Sequence, residues 1–142
     1  MFNMQSSNTC YNSGLGSFQK WHIGNDVRTI LLEDEAIVAR VGDNIYPIVA
    51  PENTIGEFIV YAREKYSKAT VKEGVYQDEC ILILTAVSDN YDKAIELAAL
   101  IDNAVTGKHV NPFGEKFTAV LADSSETFDD NKFIETLSFE IK

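Results

Sequence analysis

The chain has 142 residues, a formal net charge of −10 and 45% hydrophobic residues. This length and composition are typical of one globular domain that buries its own core. The twelve basic residues are spread along the chain without a cluster, which argues against specific or phosphate-driven binding of nucleic acid. No apolar run approaches the ~18 residues that a membrane span requires. We therefore expect no membrane segment.

The first residues differ in composition from the rest of the chain. Residues 1–20 are rich in Asn, Ser and Gly, and they lack the basic start and apolar centre of a signal peptide. We expect a flexible leader there, followed by a single domain at residues 21–142. Cys10 and Cys80 are too few for a disulfide framework, so we expect free thiols, with Cys80 a structural residue of an apolar strand.

The first helical pattern covers residues 21–41 and divides into two pieces. Asp26 is the predicted cap of the first piece and Asp34 that of the second, because an aspartate side chain can accept the free backbone N–H groups of a first turn. Gly42 then provides a left-handed stop. Two short helices ending at Gly42 are expected.

A proline-marked segment follows at residues 45–50. Proline removes a backbone donor, and Pro47 and Pro51 lie close together. A central strand could not carry both prolines. The segment is therefore expected to be an edge strand, or a strand that leaves the sheet early.

Two long strands are predicted next, at residues 58–70 and 75–87, joined by a tight turn at residues 72–74. The stretch Ile81–Leu84 is apolar at every position, whereas a strand with one wet face would alternate. We expect this strand to be covered on both sides, by helices, by another sheet or by a partner subunit.

The second half of the chain begins with the clearest helix, residues 91–105, with Asn90 before it and Gly107 after it. Leu97 and Ile101 lie on its apolar stripe and are predicted core residues. The remaining expectations are a loop at 108–116, a strand at 117–121, an acidic connection at 123–131 and a last strand at 133–141, with Glu135 as a misfit on its apolar side. Together these elements predict an α+β fold of two layers, a mostly antiparallel sheet with two main helices packed on one face.

The sequence gives little sign of catalytic chemistry. His22 and His109 are the only histidines and have no partner motif, and the acidic runs lack the spacing of a calcium loop. We expect no catalytic residue, no metal and no cofactor.

Side chains that suit a protein–protein interface are more evident. Tyrosines and lysines gather around the predicted hairpin, and such side chains are large yet partly polar, as protein interfaces favour. The alternative, an ordinary exposed hairpin, stays open. The candidate subunit or partner contacts are Tyr46, Pro47, Tyr61, Lys65, Tyr66, Lys68, Lys72 and Tyr76.

Several motifs in order resemble the tail-completion (tail terminator) proteins of long-tailed phages and prophages. A helix ends in Val41-Gly42, and Gly42 to Pro51 reads Gly-x-x-Ile-Tyr-Pro-x-Val-Ala-Pro. An extended segment follows, and then a helix with the pattern Tyr-x-x-Ala-x-x-Leu-Ala starting at Tyr91. The resemblance covers about residues 25–142.

The resemblance implies a non-enzymatic subunit of the virion tail or neck, made in the host bacterial cytoplasm. It implies a homo-oligomeric ring, commonly of six copies, that caps the tail tube and meets the head-side connector. Two alternatives stay open: another neck or tail-tube component of related fold, and a small cytoplasmic enzyme or ligand-binding domain. A ring predicts exposed sheet edges, whereas an enzyme predicts a deep pocket with converging polar groups.

Overall fold

The computed structural model describes residues 20–70 and 76–142. The leader up to residue 19, the predicted turn at 72–74 and Cys10 lie outside the described residues. The described chain begins with a short 3₁₀ turn at Lys20–His22, followed by α1 (Ile23–Leu32) and α2 (Glu35–Val41).

The two predicted helix pieces are confirmed, with one correction. Asp34 caps α2 by accepting a hydrogen bond from the backbone N–H of Ile37 (3.1 Å), and Gly42 ends that helix with φ +62°. Asp26, however, lies inside the first turn of α1 and does not cap it, because the helix begins three residues earlier, at Ile23. The 3₁₀ turn begins at Lys20, one residue before the helical pattern predicted for residues 21–41.

In the part of the chain that the structure describes, six strands form one sheet in the order β1-β2-β3-β6-β5-β4. They are β1 (Ile45–Pro47), β2 (Phe58–Thr70), β3 (Tyr76–Ser88), β4 (Gly107–Val110), β5 (Lys116–Asp129) and β6 (Lys132–Ile141). Only the β1–β2 pair is parallel, and the four other pairs are antiparallel. The expected α+β fold with a mostly antiparallel sheet is confirmed.

The proline-marked segment is an edge strand, as predicted. β1 pairs only with β2 and ends at Pro47, after which the N–H of Ile48 donates one more hydrogen bond to the carbonyl of Tyr61 (2.8 Å). The chain then leaves the sheet through the loop 48–57. Asn44 and Ile48 make the flanking hydrogen bonds to β2, so the N–H that Pro47 lacks would lie on the open side of β1, where proline is tolerated.

The core lies between the helices and one face of the sheet. On β3 the buried residues alternate along the strand, with Leu82 and Leu84 fully buried and Ile81 and Ile83 only partly buried. The buried strand residues share one cluster with Leu97 and Ile101 of α3 (Tyr91–Val105), which confirms the two predicted core residues. As far as Ala86, β3 is fully covered on one face only by the described residues, whereas Val87 and Ser88 are buried one after the other. Cover of the second face by a partner subunit stays a prediction.

Two regions after α3 differ from expectation. Asn90 caps α3 by accepting from the N–H of Lys93 (3.0 Å), and the helix ends at Val105 with Thr106 as its C-cap and Gly107 next at a positive φ of 126°. Gly107 starts strand β4, within a stretch that the sequence predicted as a loop, and this strand pairs antiparallel with β5.

The acidic segment 123–131 is not a connection. Residues up to Asp129 continue β5 and pair with β6 along its whole length, and Asp130 and Asn131 make the turn with positive φ values of 52° and 61°. The segment is exposed and polar, so it shows none of the apolar alternation that marks a strand in a sequence.

Candidate functional site

The two long hairpins leave part of each outer strand open. β1 covers β2 only from Ile59 to Tyr61, so residues 62–70 have no partner on that side among the described strands. We call this stretch the β2 edge. An open edge presents unpaired backbone N–H and C=O groups, which another chain can use for pairing.

Arg63 and Trp21 hold the start of the β2 edge in place. Nη1 of Arg63 donates to the carbonyl of Trp21 (2.9 Å), and its guanidinium lies 4.9 Å from the centre of the indole ring. Trp21 in turn makes an edge-to-face contact with Tyr66, with ring centres 5.2 Å apart. The aromatic and cationic side chains of the edge are therefore preorganised, which lowers the entropy cost of a contact.

Tyr66 also joins the edge to the start of the described chain. Its hydroxyl accepts a hydrogen bond from the backbone N–H of Lys20 (3.2 Å), and Lys68 Nζ lies 5.6 Å from its ring centre. Lys20 is buried and forms an ion pair with Asp78 of β3 (2.8 Å). These contacts fix the 3₁₀ turn against the hairpin and bring Trp21 to the edge.

The predicted contact residues do not all reach the surface. Tyr46 is half-buried, with its hydroxyl donating to Asn44 (2.8 Å) and its ring 6.4 Å from that of Phe58, while Pro47 is exposed. Tyr61 is different, because it is only 7% exposed and belongs to the core cluster. Its ring packs under Gly24, where a Cβ atom would lie 3.0 Å from ring carbons. Tyr61 is therefore mainly a core residue, and only a small part of its side chain is open to a partner.

The lysines of the hairpin are distributed along its length. Lys65 is half exposed and pairs with Glu79 across the hairpin (2.8 Å). An exposed pair of this kind contributes little to stability, so the ammonium group remains free to exchange partners. Lys68 is exposed, Lys72 lies outside the described residues, and of Tyr76 only the backbone in β3 is described.

A shallow cleft borders the β2 edge at the end of β1. Its volume is about 270 Å³, and the principal side chains around it are those of Trp21, Pro47, Ile48 and Arg63. Trp21 is 58% exposed and Ile48 is 77% exposed, which is unusual for large apolar side chains that lie side by side. We call this feature the Trp21 cleft.

Ile48 also has an unusual backbone conformation. Its φ is +67°, a region that β-branched residues rarely adopt, and its N–H bond to Tyr61 holds it there. The strain turns the side chain outward beside Val49, which is 72% exposed. The loop after β1 thus adds apolar surface next to the cleft.

The second open edge is on the other side of the sheet, and sequence reasoning missed it. β4 pairs with β5 only from Lys116 to Ala119, which leaves residues 120–129 open on that side in the described structure. We call residues 121–129 of this stretch the β5 edge. It carries Asp123, Glu126 and Asp129 and no basic residue. The only sequence signal was the acidic composition, which is equally typical of a loop.

Two glutamates of this hairpin form an unusual pair. Glu126 lies directly opposite Glu135 of β6, and the hydroxyl of Tyr91 donates to both oxygens of Glu126 (2.9 and 3.1 Å). Burial, followed by the hydrogen bond and the repulsion from Glu126, raises the pKa of Glu135 to about 7. Glu135, the misfit noted in the sequence, therefore binds a proton, shared with Glu126, as the pH falls through about 7.

Other sites with chemical potential are few in the described chain. No group of three or more His, Cys, Asp or Glu side chains there could hold a metal ion, and no helix of that part is long and apolar enough to cross a membrane. A second cleft of about 200 Å³ adjoins Asn111, whose amide is bonded to Glu115 and organises the loop after β4. Burial raises the pKa of the Cys80 thiol, so this free cysteine is a weak nucleophile.

Comparison with solved structures adds a clear structural likeness. No protein-family model and no curated protein matches the sequence. Among solved structures, a chain in the virion of a native gene transfer agent (GTA) particle superposes with a TM-score of 0.71 at 19% sequence identity. The match covers 84% of this chain and 92% of that chain. At this identity the likeness shows a shared fold, over almost the whole of the virion chain.

Proposed function

We propose that this chain is a non-enzymatic structural protein of a phage or prophage tail, which forms a ring that caps the tail tube and joins it to the head-side connector. The observation that carries the proposal is the fold shared with a GTA virion chain over 92% of that chain's length. The motifs from Gly42 to Pro51 and in α3, which resemble tail-completion proteins, support the same conclusion independently.

The described surface suits an assembly subunit. It has two open sheet edges and a cluster of exposed apolar side chains around the Trp21 cleft, as a protein that pairs with neighbours requires. The Trp21 cleft and the cleft at Asn111 are small, about 270 and 200 Å³, at or below the low end of the range for small-molecule sites. The open edges and the exposed apolar cluster favour a structural role.

The charge of the chain is consistent with a conduit for DNA. A net charge of −10 per copy is multiplied around a ring, and an acidic lumen would repel DNA and let it pass without binding. The proposal therefore includes tail-tube and connector proteins as partners and excludes specific nucleic-acid binding.

The direct test is deletion of the gene in the phage or prophage that encodes it. If the chain ends the tube, tubes without it should continue to grow and should stay separate from filled heads in electron micrographs. Tails of normal length that are joined to heads would refute the proposal. Antibody labelling separates the nearest alternative, because a cap is labelled at one end of the tail and a tube component along its length.

A second test addresses the hairpin. Reversing Lys65, Lys68 and Lys72 to Glu should leave the fold intact, as judged by circular dichroism, but impair capping of purified tails. The matched control reverses three exposed lysines elsewhere, Lys93, Lys108 and Lys116, for the same change in net charge. Capping by the hairpin variant at the level of the control would show that the hairpin does not dock.

A further inference from the structure

The two open edges of the sheet differ in charge. The described β2 edge carries Arg63, Lys65 and Lys68 against the single acid Glu64, a formal balance of +3 − 1 = +2. The β5 edge, residues 121–129, carries three acids and no base, a formal balance of −3. Each edge is the electrostatic complement of the other, on a chain that is acidic overall.

We propose that the β2 edge of one copy pairs with the β5 edge of the next copy, so that the sheet continues from subunit to subunit. The inference deepens the proposed function, since it rests on a ring and names the two strands that close it. A contact between two different edges is head-to-tail, and repeated contacts of that kind generate a ring when the rotation closes.

Strand direction permits this pairing. β2 is antiparallel to β3, β3 to β6, and β6 to β5, so β2 and β5 run in opposite directions within one chain. Rotation about a ring axis preserves that relation between neighbours. The β5 edge of the next copy therefore meets the β2 edge as an antiparallel partner, the geometry in which backbone hydrogen bonds are most nearly perpendicular to the strands.

The positions of β1 and β4 support the same match. The open stretches are similar in length, nine residues on β2 (62–70) and ten on β5 (120–129), because β1 and β4 cover opposite ends of the sheet. The positions of the two edges can be compared along β3. The β2 edge pairs directly with Tyr76 to Ile83 of β3, whereas the β5 edge is level with Leu82 to Ser88, with β6 between them. Joining them therefore requires a shift of about six residues, or roughly 20 Å, along the strands.

That shift is of the size that a closed sheet needs. Each copy contributes four strands between the contacts (β2, β3, β6 and β5), which span about 19 Å at the usual strand spacing. A shift of roughly 20 Å per repeat corresponds to a strand tilt of about 45°, at the upper end of the range for closed barrels. In this arrangement, β1 of the copy that supplies the β2 edge lies beyond the β5–β6 turn of the copy that supplies the β5 edge. It therefore meets no strand of that copy.

The same register brings the exposed Phe128 of one copy to the Trp21 cleft of the next. With the open stretches centred on each other, Phe128 of one copy comes opposite Arg63 of the next. Phe128 is 56% exposed, and it lies on the helix side of the sheet, as does the Trp21 cleft beside Arg63. Its ring would cover the side chains of Trp21 and Ile48, which are largely exposed in the single chain.

Symmetric pairing is less favourable on the same observations. A β2–β2 contact would bring Lys65 and Lys68 against their own copies, and a β5–β5 contact would do the same with Asp123 and Asp129. Like charges across an interface oppose association. The charge pattern therefore selects the head-to-tail contact.

Cysteine cross-linking distinguishes the two arrangements. In a Cys10→Ser background, Ser67→Cys and Ser125→Cys place one thiol on each edge, both on the sheet face away from the helices. With a short bis-maleimide, the double variant should give a ladder of multimers, in concentrated solution or on purified tails, and each single variant should give monomer. Dimers from either single variant, or no ladder from the double variant in both settings, would overturn the proposal.

Charge reversal tests the complementarity itself. Lys65→Glu with Lys68→Glu, and separately Asp123→Lys with Asp129→Lys, should each weaken association by roughly tenfold or more at low salt, as measured by analytical ultracentrifugation. All four changes together should restore it. If the fourfold variant is no better than either double variant, the two edges do not face each other.

The apolar part of the contact has a matched control. Phe128→Ser should weaken association, whereas Phe113→Ser, at an 86% exposed position on the loop after β4, should not. Equal effects of the two variants would count against the Trp21 cleft as the receiving site. A chain that forms the cross-linked ladder but never caps tails would refute the proposed function alone. A chain that caps tails without the ladder would refute only the edge pairing.

Discussion

The shared proton of Glu135 predicts a specific dependence of stability on pH. The ordinary pKa of this carboxyl is 4.5, and in the folded chain it is raised to about 7, with burial as the largest cause. Between these values the folded state keeps a proton that the unfolded state releases. Stability from this group is therefore complete below about pH 4.5 and is lost as the pH rises through about 7.

The magnitude follows from the same two values. At 1.36 kcal/mol per pKa unit, the change from 4.5 to about 7 corresponds to at most about 3 kcal/mol. Glu135 is only half-buried, and solvent screens its interaction with Glu126, so we expect about 1–2 kcal/mol. Glu135→Gln keeps a donor for Glu126 and removes the titration.

The assay is urea denaturation of dilute protein at pH 5 and at pH 8. The free energy of unfolding of Glu135→Gln, relative to that of the parent, should rise by about 1–2 kcal/mol from pH 5 to pH 8. Glu52→Gln, an exposed glutamate in the loop after β1, is the control and should follow the parent at both pH values. If the stability difference between Glu135→Gln and the parent is the same at both pH values, Glu135 does not titrate as described.

Three further predictions concern the rest of the fold. Leu97→Ala, at a fully buried position, should lower the free energy of unfolding by about 2–5 kcal/mol. Leu100→Ala, on a partly exposed side of α3, should lower it by clearly less. Equal losses would show that the stripe with Leu97 is not the face of α3 that packs in the core. Asp34→Ala and Asn90→Ala each remove a helix cap and should each cost about 1 kcal/mol, provided that urea denaturation shows no change in the m-value. Elemental analysis of protein purified without added metal should find no stoichiometric zinc or iron, and either metal at one equivalent would contradict the structural role proposed for the chain.

Much of the fold follows from sequence patterns with a clear physical cause. The period-two alternation from Phe58 to Arg63, the apolar stripe of α3 with its cap at Asn90, and the two prolines of the β1 region each allow one structure much more readily than any other. Those elements appear where they are predicted. Gly107 shows a limit, because glycine permits a helix stop and a strand start equally well.

The candidate interface was less predictable. Tyr61 looked like its neighbours Tyr66 and Tyr76 in the sequence, but its place on the helix side of β2 next to Gly24 buries it. The second half of β5, from Asp123 to Asp129, was not predicted as a strand for the opposite reason. A strand with solvent on both faces needs no apolar residues, and its hydrogen bonds to β6 are made by a backbone that composition does not reveal.

The strand order also has an evolutionary consequence. Within one copy, β2 and β5 are separated by β3 and β6, so Lys65 and Lys68 cannot touch Asp123 or Asp129. Selection on the folded monomer alone would let these two pairs drift independently. In related chains, a loss of positive charge on β2 that is matched by a loss of negative charge on β5 would therefore indicate that the two strands meet between copies.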